Sequence, residues 1–257
     1  MSAILLEHDG PIAIVTLSNP GKLNAIDHTM WTQLRDCFIG LSAAPAIRCV
    51  LVRGADTHFA AGADIAEFPA IRNTLEQGIL YHTAAIGEAL AAIGNCRHPT
   101  VAAIEGVCVG GGLEVACACD LRIAAADARF GIPINRLGFA LAPGEMVGLL
   151  QLVGRAVALE LLLEGRVFDA AEALQKGLIT RIVDDVPSAA MECAVRIARG
   201  APLAAQMNKR LINRLTAGPL PLDAIEHAAA FAPLASADYQ EGVRAFLEKR
   251  PPVFSGR

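Results

Sequence analysis

The chain has 257 residues, 54% hydrophobic and 19% charged, with a formal net charge of −4. That is enough apolar material for one large core, and an acidic balance without a Lys/Arg run argues against nucleic acid as a partner. No 18-residue apolar run is free of charge and residues 1–10 do not read as a secretory leader, so a soluble cytoplasmic protein with no membrane partner is expected.

In chain order, Ile4–Glu7 and Ile12–Leu17 predict a strand pair around the turn Asp9-Gly10-Pro11. A loop over Ser18–Ile26 leads to Asp27, a good N-cap for a helix through about Leu41. Ala46–Arg53 reads as a buried strand, Gly54-Ala-Asp-Thr as a turn and His58–Ile65 as a second small-residue loop. Leu75, Ile79, His82, Ile86, Leu90 and Ile93 keep helical spacing and predict one amphipathic helix ending near Gly94. A strand after Pro99, a glycine turn and a helix start follow. Leu121–Ala125 is a further strand, Phe130–Ile134 is extended, Gly138–Gly144 is a loop, and Glu145 stands where a helix should begin. Helix continues over Val157–Leu163, Asp169 caps another, and Ile179–Val183 is a last short strand. From Pro187 to Leu247 the pattern is helical, broken at Gly200, Gly218–Pro221 and Pro233. Alternating strands and helices imply an α/β fold with parallel crossovers. The expected organisation is a core over residues 1–186 and a helical region over 187–257.

The stretch from Thr100 to Asp120 carries the clearest functional signal. A β-branched run meets Gly110, Gly111 and Gly112, then Leu113-Glu-Val-Ala. Glycines allow close backbone approach to a ligand, and the first N–H groups of a helix lack internal partners and sit at its positive end. Such donors can stabilise an oxygen that becomes negative during a reaction. The plain alternative is a tight turn. A Rossmann fingerprint fails because Val115 stands where its third glycine should be, and a P-loop fails for lack of Gly-Lys-Ser/Thr. Glu114 has apolar neighbours, which favours a buried carboxyl with a raised pKa, suited to acid/base work, over a surface one. The seven cysteines are scattered without a Cys-x-x-Cys pair and read as reduced core residues; no histidine cluster suggests a metal. No Gly-x-Ser-x-Gly elbow is present.

Taken together, Asn19-Pro-Gly-Lys-Leu-Asn-Ala-Ile, Phe59-Ala-Ala-Gly-Ala-Asp-Ile, Gly110-Gly-Gly-Leu-Glu with Ala118-Cys-Asp-Leu-Arg-Ile-Ala, Arg129-Phe-Gly-Ile-Pro and Glu241-Gly-Val-Arg-Ala-Phe-Leu-Glu-Lys-Arg resemble the crotonase, or enoyl-CoA hydratase/isomerase, superfamily. The resemblance runs from about Ile4 to Phe254. It implies a crotonase-like core of repeated ββα units, a helical C-terminal trimerisation region, and homotrimers or hexamers built as dimers of trimers. It also implies an acyl-CoA thioester substrate, CoA being part of the substrate rather than a cofactor, and a place in fatty acid metabolism. The thioester oxygen would accept from the Ala63 and Gly111 N–H groups. Lys22, Leu23 and Ala25 would line the CoA channel, Ala61, Asp64 and Ile65 would cradle the adenine, and Phe246 and Lys249 would reach the nucleotide of a neighbouring subunit. Lys22 and Lys249 also read as ordinary solvated lysines.

One departure matters. The family's hydratases use two glutamates; one matches Glu114, but the other's place, directly after Phe-Gly-x-Pro, holds Ile134. Losing such a group often costs ~10²–10⁴ in rate. Glu145, which takes a glycine position at a helix start, is the candidate replacement; its alternative role is to cap that helix. Asn135 and Arg136 are polar where the pocket wall should be, and Arg136 could meet a substrate carboxylate or pair with an acid such as Asp120. The leading expectation is an enoyl-CoA hydratase. The runners-up are a double-bond isomerase, a hydrolase or dehalogenase using Glu145, and a non-catalytic acyl-CoA-binding subunit.

Overall fold

A computed structural model describes residues 1–218 and 222–257. β1 (Ala3–Asp9) and β2 (Ile12–Ser18) form the expected antiparallel hairpin, with Gly10 at φ 55° in the turn. β2, β3 (Cys49–Gly54), β4 (Thr100–Ile104), β6 (Leu121–Ala125) and β9 (Arg181–Val183) then run parallel, giving the sheet order β1-β2-β3-β4-β6-β9. β3 starts three residues later than expected, because Ile47 N–H turns back to the Ala44 carbonyl at 3.3 Å. Side chains alternate across the sheet. Ala13, Val15, Val50, Val52, Ala102 and Ile104 point into the larger core, while Ile12, Ile14, Cys49, Leu51, Val101 and Ala103 point into a second one. The larger core is covered by α1 (His28–Ala43), whose first turn is capped by the Asp27 side chain as expected.

The glycine stretch is where the chain changes sheets. The apolar run before Gly110 is two strands. β4 ends at Ile104, Gly106 turns at φ 53°, and β5 (Val107–Val109) pairs with β7 (Arg129–Gly131) in a second sheet of order β5-β7-β8, completed by β8 (Phe168–Asp169). A side chain at Gly106 would meet the Thr57 carbonyl at 2.4 Å, so glycine is required there. α5 (Gly111–Ala118) follows β5 immediately and is almost wholly buried.

Three expectations need correction. The single amphipathic helix after residue 74 is composite: after the short α2 (Phe68–Ile71) come α3 (Leu75–Leu80), a π-helical segment Tyr81–Gly87 and α4 (Glu88–Gly94). Only its second half follows the apolar stripe, since Leu75 and Ile79 are exposed whereas His82, Ile86, Leu90 and Ile93 are buried. Phe130–Ile134 is not extended throughout: β7 stops at Gly131, and Pro133 opens a 3₁₀ turn to Leu137. α6 (Pro143–Glu164) begins two residues before Glu145. By length and composition α6 could cross a membrane, but Gly154, at φ 70° and ψ 176°, interrupts it.

Short α7 (Ala170–Gln175) is capped by Asp169. α8 (Val186–Arg199), which opens the C-terminal helical region, packs Ala190, Cys193, Ala194 and Ala198 onto the second core face. α9 (Pro202–Ala217), α10 (Ala224–Phe231) and α11 (Ala237–Leu247) complete the chain. Gly200 ends α8, and Pro233 lies in the turn between α10 and α11. Of the expected break at Gly218–Pro221, Gly218 follows α9 and residues 219–221 lie outside the described residues. Arg48 ties this region down by donating to the Ala198 and Phe254 carbonyls. All seven cysteines are free and buried or half-buried.

Candidate active site

The two small-residue loops are laced into one unit. Ala61 N–H donates to Leu23 O at 2.9 Å, Ile26 N–H to Gly62 O at 2.7 Å and Asp64 N–H to Ile26 O at 2.9 Å. Leu23 and Asn24 take left-handed backbone, at φ 49° and 57°. Asn24 holds that turn with its buried amide. Its Nδ2 donates to the Ala55 and His58 carbonyls, both at 2.8 Å, and its Oδ1 accepts from Asn19 N–H at 3.1 Å.

Of the residues expected at CoA, Lys22 is not simply solvated: its Nζ donates to Asp64 Oδ2 at 2.5 Å, which raises its pKa. Asp64 also caps the turn Ile65–Glu67 by accepting from Ala66 N–H. Leu23 and Ile65 are exposed apolar side chains beside this pair, and Ala25 is buried. Ala61 and Ile65 line the same cavity as Glu114. Phe246 is 82% exposed near the end of α11, beside a separate groove of about 600 Å³; Lys249 follows at φ 55°.

The two predicted oxyanion donors come together from different parts of the chain. A side chain on Gly111 would lie 3.5 Å from the Ala63 nitrogen, and one on Gly62 would lie 3.5 Å from the Gly111 nitrogen. The Gly111 N–H is the first of α5 and has no carbonyl one turn behind it. Gly110 makes the approach with φ 51°, and its own N–H is used by Gly131 O at 2.8 Å. The Trp31 ring of α1 lies against Gly111, 2.9 Å from where a side chain would begin.

Ala63 and Gly111 open into a cavity of about 260 Å³ that also contains Glu114, His82 and Glu145. Glu114 is 6% exposed and Glu145 3%. Burial, and secondarily the charge on Glu145, push the Glu114 carboxyl well above the usual carboxylate range. Glu145 does not cap its helix: the N-cap is Ala142, without a side-chain bond, and Glu145 Oε1 instead meets His82 Nδ1 at 2.6 Å. His82 is 7% exposed, its Nε2 is buried without a partner among the described residues, and its ring stacks on Phe139 at 4.8 Å. Tyr81 lines the cavity too, with burial raising its phenol. Ile134 forms part of the wall, so an apolar side chain occupies the place where the resemblance put a second glutamate.

His82, Tyr81, Arg72 and Trp31 are site residues that sequence reading missed. His82 served only as a helical-spacing marker; the signal available was a π-helical segment, a feature frequent at functional sites but invisible in periodicity. Arg136 lines the cavity and does not pair with Asp120, which is bound instead by Lys209 at 2.8 Å and by Thr100. No group of three or more metal-ligating side chains is assembled among the described residues. The arrangement sets the Ala63 and Gly111 N–H groups beside a pair of buried carboxyl groups in one cavity, which suits stabilising an enolate-like oxygen while a proton moves.

Residues 7–257 match the model of the family described as enoyl-CoA hydratase/isomerase. A Mycobacterium tuberculosis protein named "Probable enoyl-CoA hydratase" is 37% identical over 261 residues, covering 99% of this chain and 98% of its own. A short-chain-enoyl-CoA hydratase of Clostridium acetobutylicum is 32% identical over 263 residues, covering 97% and 96%. Among solved structures, an enoyl-CoA hydratase/carnithine racemase from Magnetospirillum magneticum is 43% identical with a TM-score of 0.96, covering 100% of this chain and 97% of that one.

Proposed function

The chain belongs to the enoyl-CoA hydratase/isomerase family, and from that premise we propose that it adds water across a 2-enoyl-CoA to give a 3-hydroxyacyl-CoA. The observation that carries the reading is the pair of buried carboxyl groups, Glu114 and Glu145, in one cavity with the Ala63 and Gly111 N–H groups. The thioester carbonyl accepts from both N–H groups, which lowers the energy of the enolate formed as the double bond is attacked. Glu145, held by His82, takes a proton from water as the oxygen bonds to Cβ. Glu114, whose raised pKa keeps it protonated, gives its proton to Cα. The second carboxyl thus comes from α6 in place of the residue occupied by Ile134. CoA enters with the substrate along Lys22, Leu23 and Ala25, its adenine against Ala61, Asp64 and Ile65. In a trimer, Phe246 and Lys249 of one subunit meet the nucleotide bound by the next; the exposed Phe246 and Leu247 support this.

Isomerisation is the second reading, favoured by Ile134: with an apolar wall there, one carboxyl can lift a proton and return it elsewhere. Parallel assays separate the two. Hydration removes the conjugated absorbance of 2-butenoyl-CoA and incorporates ¹⁸O from labelled water. Isomerisation creates that absorbance from 3-butenoyl-CoA without ¹⁸O. Hydration is overturned if only the second reaction is seen.

A further inference from the structure

Two arginines line the same cavity as the carboxyl pair, Arg72 and Arg136. Other arginines of the chain have polar partners: Arg35 holds Glu88, Arg53 holds Glu7, Arg166 and Arg214 hold glutamates and Arg250 holds Glu241, while Arg48 and Arg122 donate to backbone carbonyls. Neither Arg72 nor Arg136 has an acidic partner among the described residues, although Arg72 is half-buried. What holds Arg72 is aromatic. Its guanidinium carbon lies 4.7 Å from the centre of the Phe68 ring and 4.2 Å from that of Phe139. Contacts of this kind occupy the faces of the planar group. Its N–H edge, the part that grips a carboxylate through two parallel bonds, has no hydrogen-bond partner among the described residues. Phe139 also stacks on His82, so the guanidinium is fixed relative to the Glu145 end of the cavity.

This pairing of an apolar cavity with a pre-oriented guanidinium has a direct chemical reading. Resting on the acyl-CoA function proposed above, we infer that the substrate's acyl chain ends in a carboxylate, received by Arg72 and, nearer the solvent, by Arg136. The cavity is shared by Ala61 and Ile65, expected at the adenine, but Arg72 is set toward the acyl end by Phe139, whose ring stacks on His82 beside Glu145.

The same N–H edges could grip a CoA phosphate, and the test separates the two sources. Binding of two saturated thioesters, glutaryl-CoA and pentanoyl-CoA, is measured by calorimetry on the wild-type protein and on Arg72→Met, Arg72→Lys and Arg136→Met. Neither ligand can be hydrated, so the result does not depend on the proposed reaction. Wild type should prefer glutaryl-CoA by about tenfold or more, as expected of a charge-assisted bidentate contact. Arg72→Met should bring that ratio close to one, Arg72→Lys should leave part of it, and Arg136→Met should lower it less. Equal weakening of both thioesters by Arg72→Met, with the ratio unchanged, would assign the arginines to CoA phosphate and overturn the inference. So would a wild-type protein that binds both alike. Thermal unfolding of each variant shows whether it is folded, and Arg72→Lys keeps the cation between the rings if Arg72→Met is not.

Discussion

Adding one methyl group to Gly111 is the smallest change aimed at the oxyanion donors. Its Cβ would fall 2.9 Å from Trp31 Cζ2, 3.3 Å from Cη2 and 3.5 Å from the Ala63 nitrogen. The first distance is shorter than real side chains tolerate, and Trp31, on the inner face of α1, is fully buried and cannot swing away. The start of α5 must therefore move by a few tenths of an ångström, carrying the Gly111 N–H off its proposed line to the thioester oxygen. Loss of one such donor costs roughly 10²–10³ in kcat, and overpacking of this kind costs about 1–3 kcal/mol of stability. Gly144→Ala is the control: it lies in the first turn of α6 with no atom within 4 Å of the added carbon. The assay is kcat and KM for an enoyl-CoA beside urea unfolding of both variants. A Gly111→Ala protein with wild-type kcat would refute the placement of the oxyanion donors.

Three further outcomes follow from the same geometry. The Glu114 pKa is raised on folding, so the native state holds its proton longer and stability falls as pH rises from the unfolded value toward the folded one; Glu114→Gln should match wild type in acid and be the more stable protein at neutral pH, and denaturation curves at several pH values that run parallel would contradict this. His82→Phe leaves the buried Glu145 carboxylate without its 2.6 Å partner, which should lower kcat at least tenfold with little change in KM and cost about 3 kcal/mol in unfolding; wild-type kcat would show that His82 does not position Glu145. Asn24→Ala removes three hydrogen bonds and puts a Cβ-bearing apolar residue at φ 57°, so a loss of about 3 kcal/mol is expected, whereas an unchanged unfolding midpoint would mean that the laced loops hold without it.

How much of this was legible in the sequence depended on range. Local signals transferred directly: the Gly10 hairpin, the Asp27 and Asp169 caps, the glycine turn and the burial of Glu114 all rest on residues within one turn of each other. The departure at Ile134 was visible as well, and it pointed to Glu145 as a replacement. What could not be read was partnership across the fold. His82 and Glu145 are 63 positions apart, and only the packing of the π-helical segment against α6 brings them to 2.6 Å. Periodicity misread the same region, since Leu75 and Ile79 continue the apolar stripe in sequence yet face solvent. The switch between β4 and β5 was hidden because both are short and apolar, and only the positive φ of Gly106 separates them.

In the proposed reaction Glu145 supplies the second carboxyl of a hydratase. The most direct measurement is the rate at which 2-butenoyl-CoA loses its conjugated absorbance, wild type beside Glu145→Gln. Wild type should turn over, and kcat of the variant should fall by about 10²–10⁴-fold, the range for loss of one acid/base group. A variant that hydrates as fast as wild type would contradict it and leave Glu114 to act alone.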